Sequence, residues 1–246
     1  MTAGTSEAHH FRTFGAEGGS PRMRAFLQRR LSLDDMAYEA IVTYLTTRGA
    51  EVRGKDTFGI VYDITRICNL QCAHCCVNAI FTRDGGRAKF ETTTEQVLTI
   101  LRRVHSYTSS HSFPNVFLIF GGGEPTIRPD FPEVAQVAAE LFGQSGVGMN
   151  SNGTTLTVDQ LKALSPSLGF IEISIDGFEA YHNAWRDPKQ RSEFPSPYQK
   201  TLALVREAVT DEELAAKLEV SSAVTTENLS DLRAFAEHLA QIGVRQ

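Results

Sequence analysis

The 246 residues include 41% hydrophobic side chains and carry a formal charge of −5, from 24 Lys and Arg against 29 Asp and Glu. A chain of that length and apolar content can bury one sizeable core, and its charge balance offers no broad basic face for nucleic acid. No apolar run approaches the ~20 residues that cross a bilayer. The first thirty residues are polar and Gly-rich, unlike a secretion signal, so a cytoplasmic protein with no membrane partner is expected.

In chain order, residues 1–20 lack a sustained period and read as a flexible tail. Residues 21–54 read as a helical extension: Met23, Phe26 and Leu27 form one apolar group, Met36, Ile41 and Leu45 another, and Gly49 closes the pattern. Residues 55–246 read as the core. There, short apolar runs beginning near Gly59, Val116, Val147, Phe170 and Leu218 alternate with amphipathic segments. Thr92 with Glu95, Asp130 with Glu133, and Thr157 with Gln160 have capping-box spacing, and Asn228 is placed to cap a last helix. Strand-helix alternation of this kind predicts parallel strands joined by right-handed crossovers, an α/β sheet or barrel with its chemistry at the carboxyl ends of the strands.

Polar motifs fall at those ends. All four cysteines lie between Cys68 and Cys76, in C-N-L-Q-C-A-H-C-C just after the first candidate strand. A disulfide framework would scatter them, so the cluster points to metal. Cys68, Cys72 and Cys75 can wrap an iron-sulfur cube, leaving one iron open because cysteine-only ligation takes four thiolates. A zinc site completed by His74 or Cys76 is the competing reading, and Cys76 also suits simple packing. After the second strand, G-G-G-E-P at Gly121–Pro125 lets a ligand approach the backbone, and Glu124 can accept from an ammonium group. The third strand ends in Asn150-Ser151-Asn152-Gly153, which also reads as a plain turn. In I-S-I-D-G, Ser174 and Asp176 project to one face of the fourth strand, where facing inward is costly unless they meet a polar ligand. H-N-A-W-R follows and supplies Arg186, suited to a bidentate grip or a surface ion pair. V-T-T-E-N, Val224 to Asn228, follows the fifth strand.

These motifs, in this order, resemble the radical SAM superfamily from about Phe58 onward, with most similarity to its sulfatase-maturase-like, peptide-modifying (SPASM-type) subgroup. The resemblance implies a partial (β/α)6 TIM-like barrel. It also implies a [4Fe-4S] cluster on Cys68, Cys72 and Cys75, with His74 at a position usually aromatic, and S-adenosyl-L-methionine (SAM) on the open iron. By the same resemblance Gly122, Gly123 and Glu124 hold the amino group of SAM, and Asn152 lies near the ribose. Ser174 and Arg186 hold the carboxylate, with Asp176 in the same motif, and Val224 and Thr226 flank the adenine. Asn183 stands where the family has Asp, and no cysteine follows Cys76, so the SPASM cysteines are absent. Five strand-helix units are legible where the resemblance implies six, so either the core is truncated after the fifth or a partner chain or an oligomer covers its open edge. The activity implied is reductive cleavage of SAM to a 5′-deoxyadenosyl radical, with flavodoxin or ferredoxin as reductant and a peptide or protein side chain as hydrogen donor. A small-molecule biosynthetic intermediate as substrate, or a noncatalytic metal-binding paralogue, are the alternatives.

Overall fold

The structure, a computed structural model, describes residues 57–81, 91–191 and 193–245, so the expected tail and helical extension lie outside the described residues. The described chain builds a five-stranded sheet from β1 (Thr57–Thr65), β4 (Asn115–Gly122), β5 (Val147–Ser151), β6 (Phe170–Ser174) and β7 (Leu218–Ser221), ordered as they occur in the chain. The pairs β4/β5, β5/β6 and β6/β7 are parallel, with Leu118 opposite Val147, Ser151 opposite Ile173 and Ser174 opposite Ser221. Two short strands, β2 (Ile67–Cys68) and β3 (Ile80–Phe81), form a separate parallel pair around the cysteines. Helices α1 (Thr94–Ser110), α2 (Phe131–Phe142), α3 (Val158–Leu164), α4 (Glu179–Arg186), α5 (Pro197–Ala208), α6 (Glu212–Lys217) and α7 (Leu232–Ile242) fill the connections. This is the α/β architecture expected. Among the described residues no helix is long and apolar enough to cross a membrane.

Strand periodicity divides the sheet between core and site. On β4 the alternating Val116, Leu118 and Phe120 are buried, Leu118 and Phe120 in the main core, where Phe120 meets Phe131 of α2 edge to face at 5.6 Å. On the other face, Val61 and Asp63 of β1, Gly121, Asn150, Ser174 and Ser221 line a common cavity at the carboxyl ends of the strands.

The caps correct three expectations. Thr157 and Gln160 do form a reciprocal box, but α1 starts one residue later than expected, on Thr93 with Gln96, because the Thr92 carbonyl accepts from Arg128 Nη1 at 3.0 Å. Asp130 occupies the cap position of α2 without capping it; its carboxylate accepts from Arg128 and from Thr94 Oγ1 at 2.8 Å. Asp231, not Asn228, precedes α7. The fifth strand also stops at Ser221, short of the apolar run, because the Ala223 backbone is taken by side chains: Asp176 Oδ1 accepts from its N–H at 3.0 Å and Asn228 Nδ2 donates to its carbonyl at 2.9 Å.

Replacing Phe120 by Ala is expected to cost about 3–5 kcal/mol through cavity formation, whereas Thr157→Ala, which removes a cap, costs about 1 kcal/mol. Urea unfolding at neutral pH measures both.

Candidate functional site

Cys68 closes β2, and Cys72 and Cys75 lie on the loop that returns to β3. The loop is stitched to its surroundings along its length. Asn69 Nδ2 donates to Thr154 Oγ1 at 2.8 Å, Ala73 N donates to the Trp185 carbonyl at 2.7 Å, and Arg191 Nη1 donates to Gln71 Oε1 at 2.9 Å. Cys68 Sγ accepts from Leu70 N at 3.4 Å and from Asn152 Nδ2 at 3.7 Å, and Cys75 Sγ accepts from Ala79 N at 3.3 Å. Burial pushes the Cys68 thiol up to about 12. It pushes Cys72 up to about 11, against the pull of the Arg186 charge. Cys76 is exposed.

The Gly-rich segment runs against the backbone that leads into this loop. Gly123 N donates to Thr65 O at 2.7 Å and Glu124 N to Ile67 O at 2.8 Å. A Cβ on Gly122, whose φ is +104°, would meet Thr65 O, and one on Gly123 would meet Ile67 O at 2.2 Å. Glycine is therefore required by the approach of two backbones. Glu124 departs from the sequence expectation: it is fully buried, and its carboxylate accepts from Thr126 N and Oγ1, from Ser151 Oγ at 2.9 Å and from Asn152 N at 2.8 Å. Burial raises its pKa in spite of these donors. The carboxylate braces two strand-end loops, and Gly121, Gly122 and Gly123 are what this segment turns to the cavity. Asn152, braced in turn, donates to Asn69 Oδ1 at 2.9 Å as well as to Cys68.

Asp176 also meets protein where a ligand was expected. It is 0% exposed and pairs with Arg186 in a bidentate fork, Nε to Oδ2 and Nη2 to Oδ1, both at 2.7 Å. His74 Nε2 lies 3.3 Å from Oδ2. Burial would raise this carboxyl, but the bonds from His74 and Arg186 hold it well below the usual carboxylate range. Support for Arg186 thus comes from Asp176, while Asn183 binds Ser196 Oγ and Tyr198 N at the start of α5. The Nη1 edge of Arg186 has no protein partner among the described residues, and Arg186 lines the cavity. His182 Nδ1 accepts from Asp176 N at 3.2 Å, and its Nε2 is buried without a partner.

One cavity of about 470 Å³ joins Cys68, Cys72, Cys75, Gly121–Gly123, Asn150–Asn152, Ser174, Arg186 and Ser221–Ala223. Its size is that of a small-molecule site. Val224, 59% exposed, and Thr226, also exposed, are not among the residues lining it, whereas Ser221–Ala223 are. The donor set suits an iron-sulfur cube. Cys68, Cys72 and Cys75 line one cavity, and three thiols leave a position of a four-iron cube unligated by protein. Asn150 Oδ1, buried and without a partner on the cavity wall, marks a polar demand that the protein itself leaves unmet. No motif or spacing singled out Asn69, Gln71 or Asp63. Ser221 and Ser222, a polar pair where an apolar run should continue, were the available sign for the fifth strand end.

A sequence model described as the Radical SAM superfamily matches residues 62–239. Fe-coproporphyrin III synthase of Methanosarcina barkeri is 31% identical over 131 residues, covering 53% of this chain and 30% of its own length. Mycofactocin maturase MftC of Mycolicibacterium smegmatis is 28% identical over 186 residues, 75% of this chain and 42% of its own. The chain thus spans less than half the length of these curated relatives. Among solved structures, anSMEcpe with bound AdoMet aligns at a TM-score of 0.58 and 16% identity, over 76% of this chain and 49% of that one. Streptococcus suis SuiB aligns at 0.54 and 15%, over 91% and 48%. At such identities the structures bear on the fold alone.

Burial, reinforced by the Arg186 charge, holds His182 down at about 4, below the ordinary value of 6.5. The folded state therefore resists protonation: stability is full above pH ~6.5 and falls as pH drops toward 4, by on the order of 3 kcal/mol. Urea unfolding across that window is expected to show the loss in the native chain and a smaller one in His182→Gln.

Proposed function

The chain belongs to the radical SAM superfamily, and from that premise we propose that it is the core of an enzyme that cleaves SAM reductively and takes hydrogen from a peptide or protein side chain. The observation that carries this reading is the meeting, in one cavity, of the Cys68, Cys72 and Cys75 thiols with the Gly-rich backbone, Ser174 and Arg186. Bound there, a [4Fe-4S] cluster and SAM would supply an electron to the sulfonium and a 5′-deoxyadenosyl radical for hydrogen abstraction. The protein's work is positioning.

Cys68, Cys72 and Cys75 are the proposed cluster ligands. Because burial keeps Cys68 and Cys72 protonated in the bare chain, loading releases protons and is favoured at higher pH. Arg186 is oriented by Asp176 so that its Nη1 edge stays free for the SAM carboxylate, beside Ser174. The backbone of Gly121–Gly123 borders the amino end, Asn152 steadies Cys68 and the ribose side, and Ser221–Ala223 border the adenine. Glu124, Asp176, Val224 and Thr226 have no direct contact with SAM in this reading. An electron donor such as flavodoxin or ferredoxin completes it, and residues 55–246 form its catalytic core.

The peptide preference rests on the subgroup resemblance of the I-S-I-D-G and H-N-A-W-R motifs, and similarity to a maturase favours it. Similarity to Fe-coproporphyrin III synthase favours a second reading, with a small biosynthetic intermediate as substrate. Transfer of deuterium into 5′-deoxyadenosine from a labelled precursor peptide encoded beside the gene supports the first; transfer only from a labelled small molecule supports the second.

Anaerobically reconstituted protein with dithionite is expected to convert SAM to 5′-deoxyadenosine, and Cys72→Ala to reduce the rate to background. Undiminished turnover by that variant would remove the proposed mechanism.

A further inference from the structure

We propose that Asp176 is a positioning residue shared by two parts of the site: through His74 it fixes the cysteine loop, and through Arg186 it fixes the grip on the cosubstrate. The loop half stands on geometry alone, and the cosubstrate half rests on the function proposed above.

Three hydrogen bonds and one close contact converge on this carboxylate: Oδ1 accepts from Arg186 Nη2 and Ala223 N, Oδ2 accepts from Arg186 Nε, and His74 Nε2 lies 3.3 Å from Oδ2. A carboxylate can only accept, so the His74 proton at this contact sits on Nε2. His74 lies two residues from Cys72 and beside Cys75, its ring 5.6 Å from that of Trp185. The Trp185 carbonyl in turn holds the Ala73 amide at 2.7 Å. The cysteine loop is thus tied to the end of α4 twice, once through backbone and once through the His74 side chain. Arg186 is the last residue of α4, so loop and guanidinium share one frame.

The sequence has His74 at the position before Cys75, where the resembling family more often carries Phe or Tyr. A packing role against Trp185 would be met equally by Phe. A hydrogen bond to Asp176 would not, while Gln can carry a donor amide to the place of Nε2. The two roles therefore rank the same two variants in opposite order.

The first arm measures hydrogen exchange of the amides of residues 70–79 in the full chain without metal. His74→Phe is expected to exchange roughly 10-fold faster than the native chain, as loss of one bond to a charged group implies, and His74→Gln to stay near native. The reverse ranking, native protection in His74→Phe and loss in His74→Gln, overturns the tether. The second arm measures SAM affinity of the reconstituted chain by calorimetry, with iron content as a control. Asp176→Asn and His74→Phe are each expected to weaken binding, Asp176→Asn by roughly 10-fold or more at unchanged iron content, and the double variant to fall short of the summed effects. Should Asp176→Asn unfold, His74→Phe and His74→Gln still decide the matter, since both leave the Asp176–Arg186 pair in place. Native affinity in His74→Phe, or strict additivity in the double variant, overturns the sharing. Loss of the second arm with the first intact would count against the cosubstrate half, leaving the tether standing.

Discussion

Two ionisable carboxylates with no exposed surface, Glu124 and Asp176, hold the working end of this sheet together. An ionised carboxylate in such a place costs several kcal/mol unless its oxygens are fully hydrogen-bonded. Each finds its donors on segments distant in sequence. Glu124 gathers Thr126, Ser151 and Asn152, joining the ends of β4 and β5; Asp176 gathers His74, Arg186 and Ala223, joining the cysteine loop, α4 and the end of β7. Moving any of these segments leaves a buried oxygen short of a donor. The relative placement of five loops, and with it the cavity they enclose, follows from satisfying two side chains.

That arrangement separates holding from binding. Glu124 and Asp176 are each turned to donors of the protein, and what faces the cavity is backbone, thiols, small hydroxyl and amide side chains, the Asp63 carboxylate, the His74 ring, a few aliphatic side chains and one edge of Arg186. Glycine is needed at 122 and 123 because the β4 end passes against the backbone of Thr65 and Ile67. The same contact that excludes a Cβ brings the Gly-rich backbone alongside the cysteines. A polar amide oxygen on Asn150 is left without a protein partner on the wall of a space large enough for a cosubstrate.

Much of the fold was legible because the strands are short apolar runs with unambiguous spacing, and Val147–Ser151 matches its run residue for residue. The order of the polar motifs at the strand ends was legible too, since it needs only sequence position. The direction of each side chain was not. Glu124 and Asp176 look like ligands in one dimension, and only the donors from residues such as Ser151, His74 and Ala223 show that their oxygens are already occupied. The end of β7 was misread for the same reason: Val224 belongs to an apolar run, but two side chains from elsewhere capture the Ala223 backbone and turn the chain outward. Asn228 carries a cap's signature yet is buried, donating to the Asp176 carbonyl at 2.7 Å. Such errors arise wherever a local signal competes with a through-space hydrogen bond at a buried position.

The central claim is that this braced cavity presents three thiolates to an iron-sulfur cube with one corner left for SAM. The most direct measurement is iron and acid-labile sulfide per chain in oxygen-free material, with the electron paramagnetic resonance spectrum of the reduced protein taken before and after SAM is added. The account requires about four irons and four sulfides per chain and a spectrum that changes on SAM addition. A single zinc without sulfide, or a cluster whose spectrum SAM leaves untouched, would contradict it.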